Sequence, residues 1–335
     1  MAWEEVSHMQ VWMISDGGIE PRPVGELGVL LARDDGIVWV DIPACDPEVV
    51  HVLAEEFRFH PLAIRDCVER NRVPRVHAYP DHVLLILHAP EHGKAGHVHY
   101  VELDQFIGQR YLVTVHGPVN PAVRPEVPLR ETNAVLKRIQ AGKLRPSSPF
   151  ELSYAIVSSI ARRQETFIEE LTQQVWELEQ TVTGGDIDSP EDFLEDLFRA
   201  RHGLLAVRTM AALGGEVHGR MISLGRFVSP QERPLLEDVV DQFERVRGLA
   251  DGEKEYLQGV IEFYQTRTGT KMAIAAERLT VIAVITLPIT ALSSIYGMNI
   301  IVNQRTDFPH LAVVLGVMLL ISGVLLRWAR RQGWW

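Results

Sequence analysis

The sequence predicts an α+β domain, a mixed sheet with flanking helices, followed by a long stalk helix and two C-terminal transmembrane helices. Short apolar runs separated by turn residues fill positions 1–145, which is typical of a sheet with intervening helices. From about residue 150 the apolar residues instead recur at the three- and four-residue spacing of a helix. Two uncharged apolar runs lie near the C-terminus, and a run of roughly 20 residues can cross a bilayer.

Composition excludes several classes of protein. Of the 335 residues, 46% are hydrophobic and 23% are charged, so the chain is not a disordered one. The net charge of -11 is opposite in sign to that of most nucleic-acid-binding proteins, so we expect no nucleic acid partner. Two cysteines, Cys45 and Cys67, form no disulfide framework. Phosphate-binding, dinucleotide and nucleophile-elbow motifs are absent from the sequence, so we expect neither a nucleotide partner nor an enzyme.

Two stretches near the C-terminus contain no charged side chain, namely Leu279 to Tyr296 and Leu311 to Leu326. Two such runs in tandem favour membrane spans over buried core helices. Basic residues flank the outer ends of both runs, so the positive-inside rule places the N- and C-termini in the cytoplasm of a multi-pass inner-membrane protein. The flanking basic residues are Arg267, Lys271, Arg278, Arg327, Arg330 and Arg331.

Two spans cannot enclose a polar path alone, so any ion path requires several copies of the chain around an axis. The first span carries hydroxyl side chains suited to such a lining. Hydroxyls inside a span also bond back to their own helix, so this pattern leaves both interpretations open. These residues are Thr280, Thr286, Thr290, Ser293 and Ser294.

The pattern divides the chain into six segments. A helix starts at Asp46-Pro47-Glu48, and another ends at Gly184-Gly185. The predicted strands are Gln10–Ser15, Gly28–Ala32, Ile37–Ile42, Val83–His88, His97–Ile107 and Tyr111–His116. The segments are an α/β domain at 1–145, an acidic antiparallel helical hairpin at 146–228, a stalk helix continuing into the first span at 229–296, an external loop at 297–308, a second span at 309–327 and a basic, aromatic tail at 328–335.

The predicted hairpin is strongly acidic. Between Glu165 and Asp196 the sequence has eleven acidic residues and no Lys or Arg. Such a run is either a solvated helix face or a collar that raises the local concentration of cations.

The run Tyr296-Gly297-Met298-Asn299 directly follows the first span. A Gly-Met-Asn tripeptide in this position resembles the signature of the CorA-type (GMN-motif) divalent-cation transporter family. The resemblance extends from about residue 35 to the C-terminus. It also includes Leu287-Pro288-Ile289-Thr290, Trp39-Val40-Asp41-Ile42, His60-Pro61-Leu62-Ala63-Ile64-Arg65-Asp66-Cys67 and Leu112-Val113-Thr114-Val115-His116.

The resemblance implies a funnel-shaped homopentamer in a lipid bilayer, with the first span lining the pore. It implies that Tyr296, Gly297, Met298 and Asn299 form the outer mouth, where Asn299 binds a hydrated cation. Uncharged amide oxygens suit Mg2+, which releases its water reluctantly. Stepping back from the mouth in threes and fours gives the expected pore lining: Thr290, Leu287, Ala283, Thr280, Leu279, Ala276 and Met272.

The start of the stalk carries carboxylates at helical spacing, including Asp238 and Asp241. Like charges on one face repel unless a cation bridges them. A regulatory Mg2+ between neighbouring subunits is one interpretation. Salt bridges to Arg233, Arg245 or Arg247 are the other.

The expected function is passive transport of a divalent cation, Mg2+ first with Co2+ or Zn2+ as alternatives, through a pore gated by cytosolic metal. A zinc carrier of the ZntB type, with or without coupling to protons, is the first alternative. The second is a membrane-tethered metal sensor that no longer conducts. The sensor would explain why the stretch 300–307 after the GMN motif lacks the acidic run common in the family.

Overall fold

A computed structural model describes residues 9–185, 187, 189–224, 227–297 and 308–331. The chain divides into two compact units, the first ending at Val260 and the second beginning at Ile261. The division falls inside the segment predicted to be the stalk helix.

A seven-stranded mixed sheet forms the centre of the first unit, as the sequence predicts. Its order is β2-β1-β3-β7-β6-β5-β4. Only β3 and β7 run parallel among the described pairs, and all the other neighbours are antiparallel. The strands are β1 (Gln10–Ser15), β2 (Gly18–Arg22), β3 (Ile37–Ile42), β4 (Arg75–Ala78), β5 (Val83–His92), β6 (Val98–Ile107) and β7 (Tyr111–Val115).

The predicted strand Gly28–Ala32 is wrong, because this stretch forms the short helix α1 (Leu27–Leu31). Leu27 and Leu30 are both buried, and their spacing of three matches one face of a helix turn. The sequence also missed β2 and β4, the two edge strands. None of their side chains is buried, so burial does not impose on them the apolar alternation that reveals a half-buried strand.

The parallel pair β3 and β7 carries a buried hydrogen-bond network. Trp39 Nε1 donates to Thr114 Oγ1 over 3.1 Å, and Thr114 Oγ1 donates to Asp41 Oδ1 over 2.5 Å. His116 Nε2 lies 2.8 Å from the same Asp41 oxygen. These four residues come from two of the motifs that resemble the CorA family, so in this fold the motifs join the two parallel strands.

Two capped helices cover one face of the sheet. Helix α2 (Pro47–Glu55) begins as predicted, and the Asp46 carboxylate accepts the Val49 N–H over 2.8 Å. The His60 side chain caps α3 (Pro61–Val68) in the same way. Leu53 and Ala63 from these helices, both fully buried, join Val40 and Val113 in the main apolar core.

Three more helices complete the fold of the first unit apart from the stalk. Helix α4 is Arg130–Gln140, α5 is Pro149–Gly184 and α6 is Pro190–Ile222. The predicted helical hairpin corresponds to α5 and α6, which pack together and against β5 and β6. Ser189 caps α6, and Gly185 ends α5 at a φ of 90°, a conformation that favours glycine.

Helix α7 (Arg233–Gly297) is continuous over 65 residues, as predicted for a stalk that runs into the first span, and it contains Pro288. Helix α8 (Phe308–Arg331) follows. Each contains an 18-residue window apolar enough to cross a membrane, with mean hydropathy of 1.8 in α7 and 2.2 in α8. Only 6% of each window is buried inside the chain, which distinguishes both helices from the core helices of a soluble protein.

Two glycines of α6 offer a matched test of helix packing. A Cβ added at Gly214 would lie 2.9 Å from the ring of Phe243, which is 1% exposed, whereas a Cβ at Gly219 meets nothing within 4 Å. Gly219→Ala is expected to raise the free energy of unfolding by up to about 1 kcal/mol, because alanine favours a helix. Gly214→Ala is expected to lower it by about 1 kcal/mol, because overpacking outweighs that gain. Thermal unfolding of the purified variants measures both; equal stabilisation by the two would contradict the packing described here.

Candidate functional site

The residues predicted to line a pore form an exposed stripe on α7. Met272, Leu279 and Leu287 are 69%, 66% and 67% exposed, respectively. The other stripe residues are exposed as well, and their spacing of three and four places them all on one face. We call this face the α7 stripe: Met272, Ala276, Leu279, Thr280, Ala283, Leu287 and Thr290.

Between residues 281 and 292, the opposite face of α7 is partly shielded. Val281 is 8% exposed, and Val284, Ile285, Pro288 and Leu292 are partly buried. These positions also repeat at three and four, but they lie across the helix from the stripe. The α7 stripe therefore belongs to the surface that a single chain leaves uncovered, together with Ile282, Thr286 and Ile295 on other sides of the helix.

The threonines of this span bond to their own helix. The hydroxyls of Thr280, Thr286 and Thr290 donate to the carbonyls of Ala276, Ile282 and Thr286 over 2.8, 2.9 and 2.8 Å. The interpretation that they bond back to the backbone is thus confirmed for these three. A hydroxyl oxygen that donates its hydrogen still has lone pairs, so the exposed oxygens remain acceptors.

The predicted pore mouth lies where α7 ends. Tyr296 and Gly297 are the last two residues of the helix. Met298 and Asn299 lie outside the described residues.

The predicted regulatory carboxylates lie near the start of α7, on its exposed side. Asp238 Oδ2 accepts hydrogen bonds from Tyr154 Oη over 2.7 Å and from Gln242 Nε2 over 2.6 Å, and Asp241 is exposed. The alternative of salt bridges holds for their neighbours, since Arg233 pairs with Glu237 over 2.9 Å and Arg245 with Glu165 over 3.0 Å. In the described part of the chain, no three His, Cys, Asp or Glu side chains are arranged to hold a metal ion.

The acidic hairpin is partly neutralised within the chain. Arg199 pairs with Glu195 over 2.5 Å and with Asp196 over 3.0 Å. Glu170 lies 2.8 Å from His92 Nε2. Pairing within the chain therefore accounts for part of the acidic run, and both interpretations of the remaining carboxylates stay predictions.

A buried carboxyl pair within β6 was missed by the sequence interpretation, which took the stretch only as a strand. Glu102 is 5% exposed and Asp104 is fully buried. Burial raises the pKa of Glu102 to about 7, although hydrogen bonds from Asn71 oppose the shift. Burial and the neighbouring Glu102 charge raise the pKa of Asp104 well above its ordinary value, and the Cys67 thiol lies beside it. The signal was two acidic residues, two apart, in a predicted strand.

The raised pKa of Glu102 predicts a pH-dependent stability. The unfolded glutamate has a pKa of about 4.3, so between about pH 4 and pH 7 the folded chain binds more protons than the unfolded chain and loses stability as pH rises. Glu102→Gln removes this titration. Between about pH 5 and pH 8 the wild type is expected to lose on the order of 2 kcal/mol relative to the variant.

Urea unfolding at a series of pH values measures that difference. Glutamine keeps only one of the two acceptors that Asn71 uses, which adds an offset independent of pH. Only the slope therefore tests the titration, and parallel curves for the two proteins would contradict it.

An α/β domain that leads through one long helix into a pair of unshielded apolar helices defines a two-span membrane protein. Over residues 34–331 the chain matches the family described as CorA-like Mg2+ transporter protein. The chain belongs to this family, whose members are membrane transporters of metal ions rather than enzymes.

Individual relatives agree with this assignment. The protein YfjQ of Bacillus subtilis (strain 168) is 22% identical over 303 residues, covering 88% of this chain and 89% of that protein. The cobalt/magnesium transport protein CorA of Thermotoga maritima is 22% identical over 327 residues, covering 91% and 86%. The solved structure of the CorA magnesium transporter from Methanocaldococcus jannaschii has a TM-score of 0.80 at 17% identity and covers 98% of both chains. That likeness confirms the predicted order of a mixed-sheet domain, a long helix and two C-terminal apolar helices.

Proposed function

We propose that this protein conducts divalent cations passively across the inner membrane as a funnel-shaped homopentamer, with Mg2+ as the first substrate and Co2+ or Zn2+ as alternatives. The observation that carries the proposal is the α7 stripe, an exposed face that combines apolar and hydroxyl side chains directly before the GMN motif. In this proposal, copies of the stripe face one another around an axis, while the second span contacts lipid.

The chemistry of the stripe supports a path for a hydrated ion. Mg2+ is small and dehydrates reluctantly, so its water ligands are what a wide path contacts. Water on a cation is a strong donor, and the oxygens of Thr280 and Thr290 are acceptors whose own hydrogens are already committed to the helix. Leu279 and Leu287 form apolar rings in the same path, and a ring of this kind gates by dewetting.

Asn299 of each subunit forms the outer ring at the mouth, with Tyr296, Gly297 and Met298 shaping the exit from the helix. Both termini lie in the cytoplasm. Inward movement is driven by the membrane potential, which supplies about 2.3 kcal/mol per unit charge for each 100 mV. No nucleotide is consumed.

Substitution at the mouth tests the transport path. Asn299→Ala is expected to reduce Mg2+ uptake into liposomes by about tenfold or more, because each amide lost removes a hydrogen bond to a charged, hydrated ligand. Asn303→Ala, in the same predicted loop, is the matched control and is expected to leave uptake near wild type. Equal effects of the two substitutions would contradict a specific role for Asn299.

The same assay separates the alternatives when Mg2+, Zn2+ and Co2+ are compared with and without a proton gradient. Uptake that requires the gradient identifies a proton-coupled carrier. Oligomers that are intact but take up none of the three ions identify a sensor. Either result would contradict the proposal of a passive channel.

Cytosolic metal closes the proposed pore by bridging Asp238 and Asp241 with carboxylates of a neighbouring subunit. The support is that these carboxylates are exposed and that the bonds found for Asp238 are to neutral groups. The described residues of one chain contain no three-ligand cluster, so in this proposal the neighbouring subunit supplies the remaining ligands.

A double substitution tests this gate. Asp238→Asn with Asp241→Asn is expected to raise Mg2+ uptake several-fold when Mg2+ is present on the cytoplasmic side, because amides bind the closing ion more weakly. Glu237→Gln is the matched control, since Glu237 is already paired with Arg233. A double variant that still closes at the wild-type Mg2+ concentration would place the sensor elsewhere.

A further inference from the structure

A cavity of about 240 Å³ lies between three helices of the first unit, with lining residues from α4, from α5 and from the early part of α7. Helix α4 packs against α5. Small residues of α5, namely Ala155, Ser158 and Ala161, line the cavity and lie along one side of that helix because they are three apart. The cavity therefore lies where α5 has short side chains and its neighbours have long ones.

Arginines dominate the charged part of the lining. They are Arg138 of α4, Arg162 of α5 and Arg245 of α7. Among the described residues that line the cavity, Glu165 alone carries a carboxylate. The chain as a whole has a net charge of -11, so the charge of this lining is opposite in sign to that of the protein.

The guanidinium groups have donors that the chain itself does not use. Arg138 and Arg162 are exposed, and within the described part of the chain neither side chain forms an ion pair or a hydrogen bond. Arg245 donates to Glu165 through Nε over 3.0 Å, and this bond leaves its two terminal nitrogens as donors. The lining therefore has unused N–H groups on three different helices.

The remaining polar side chains of the lining are already engaged. Tyr154 and Gln242 both donate to Asp238 Oδ2, over 2.7 and 2.6 Å. Asp238 itself is not a lining residue, but its charge offsets part of the positive charge nearby. Together with Glu165 it leaves the three arginines in excess by one charge. Recognition of a ligand in this cavity therefore depends on the arginines.

We propose that this cavity binds a phosphoryl anion, either inorganic phosphate or the phosphate group of a small phosphomonoester. A guanidinium presents parallel N–H donors that match two oxygens of a phosphate. A phosphoryl group has at least three such oxygens, so it can pair with more than one arginine, whereas a carboxylate has two. A volume below the roughly 300 Å³ of drug-sized sites suits a ligand this small. Every lining residue belongs to the first unit, so the site stands whether or not the pore proposal holds.

Equilibrium dialysis of the full chain in phosphatidylcholine nanodiscs tests the proposal with three radiolabelled probes: inorganic phosphate, glycerol 3-phosphate and acetate. EDTA is present, so that no divalent cation bridges a probe to a carboxylate such as Asp238. At least one phosphoryl probe is expected to bind about tenfold more tightly than acetate, because it accepts further charge-assisted hydrogen bonds.

The two phosphoryl probes distinguish the sources of the ligand. Tighter binding of inorganic phosphate identifies the free anion, and tighter binding of glycerol 3-phosphate identifies a phosphomonoester. Equal binding of the two shows that the phosphoryl group alone is recognised. Acetate binding as tight as that of both phosphoryl probes, or no binding of either phosphoryl probe, overturns the proposal.

Three variants locate the binding. Arg138→Gln and Arg162→Gln are each expected to weaken it about tenfold or more, because a charged hydrogen-bond partner is lost. Arg201→Gln is the matched control, since Arg201 is an exposed arginine of α6 that has no ion pair among the described residues and does not line the cavity. It removes the same charge from the chain and is expected to leave binding near wild type.

The substituted side chains are exposed, so all three variants are expected to fold, and circular dichroism checks that they do. Equal weakening by all three substitutions would mean that a general attraction for anions, rather than this cavity, accounts for the binding. That result overturns the proposal, as does unchanged binding in both Arg138→Gln and Arg162→Gln.

Discussion

The constraint on which the rest depends is that the two apolar helices have no sufficient partner within one chain. Their hydrophobic windows are 6% buried, and water would solvate that surface at a large cost in free energy. A bilayer removes the cost for apolar faces but not for the acceptor oxygens of Thr280 and Thr290, which lipid cannot solvate with hydrogen bonds. In the assembly that we propose, several copies would give this helix two environments, lipid on one side and a polar path along the stripe.

In the first unit the equivalent constraint is the parallel pairing of β3 and β7. Strands far apart in sequence meet there, and Trp39, Asp41, Thr114 and His116 hold them in one register through buried polar bonds. A slip of one residue would turn these side chains to the other face and leave their polar groups without partners. The register in turn determines where both strands end.

Much of this fold could be predicted from the sequence because its signals are local. Asp46 and Gly185 mark helix ends through the chemistry of a single turn, and the charge-free runs mark the spans through composition alone. The local signals failed where tertiary contacts decide the secondary structure or the pairing of side chains. The apolar run Gly28–Ala32 fits the period of a helix as well as that of a strand. The edge strands have no buried side chains, so burial imposes no alternation of apolar and polar residues on their sequences. The pairing of Glu102 with Asn71 depends on which segments the fold brings together, and spacing along the chain does not encode that.

Pro288 has a consequence for the mechanics of the first span. A proline has no N–H, so the carbonyl of Val284 receives no hydrogen bond from the position four residues later. Elsewhere in the helix, bending must stretch backbone hydrogen bonds, whereas at this turn one of those bonds is already missing. The span therefore bends more easily at Pro288 than elsewhere. The helix segment on one side of Pro288 can tilt without displacing the segment on the other side.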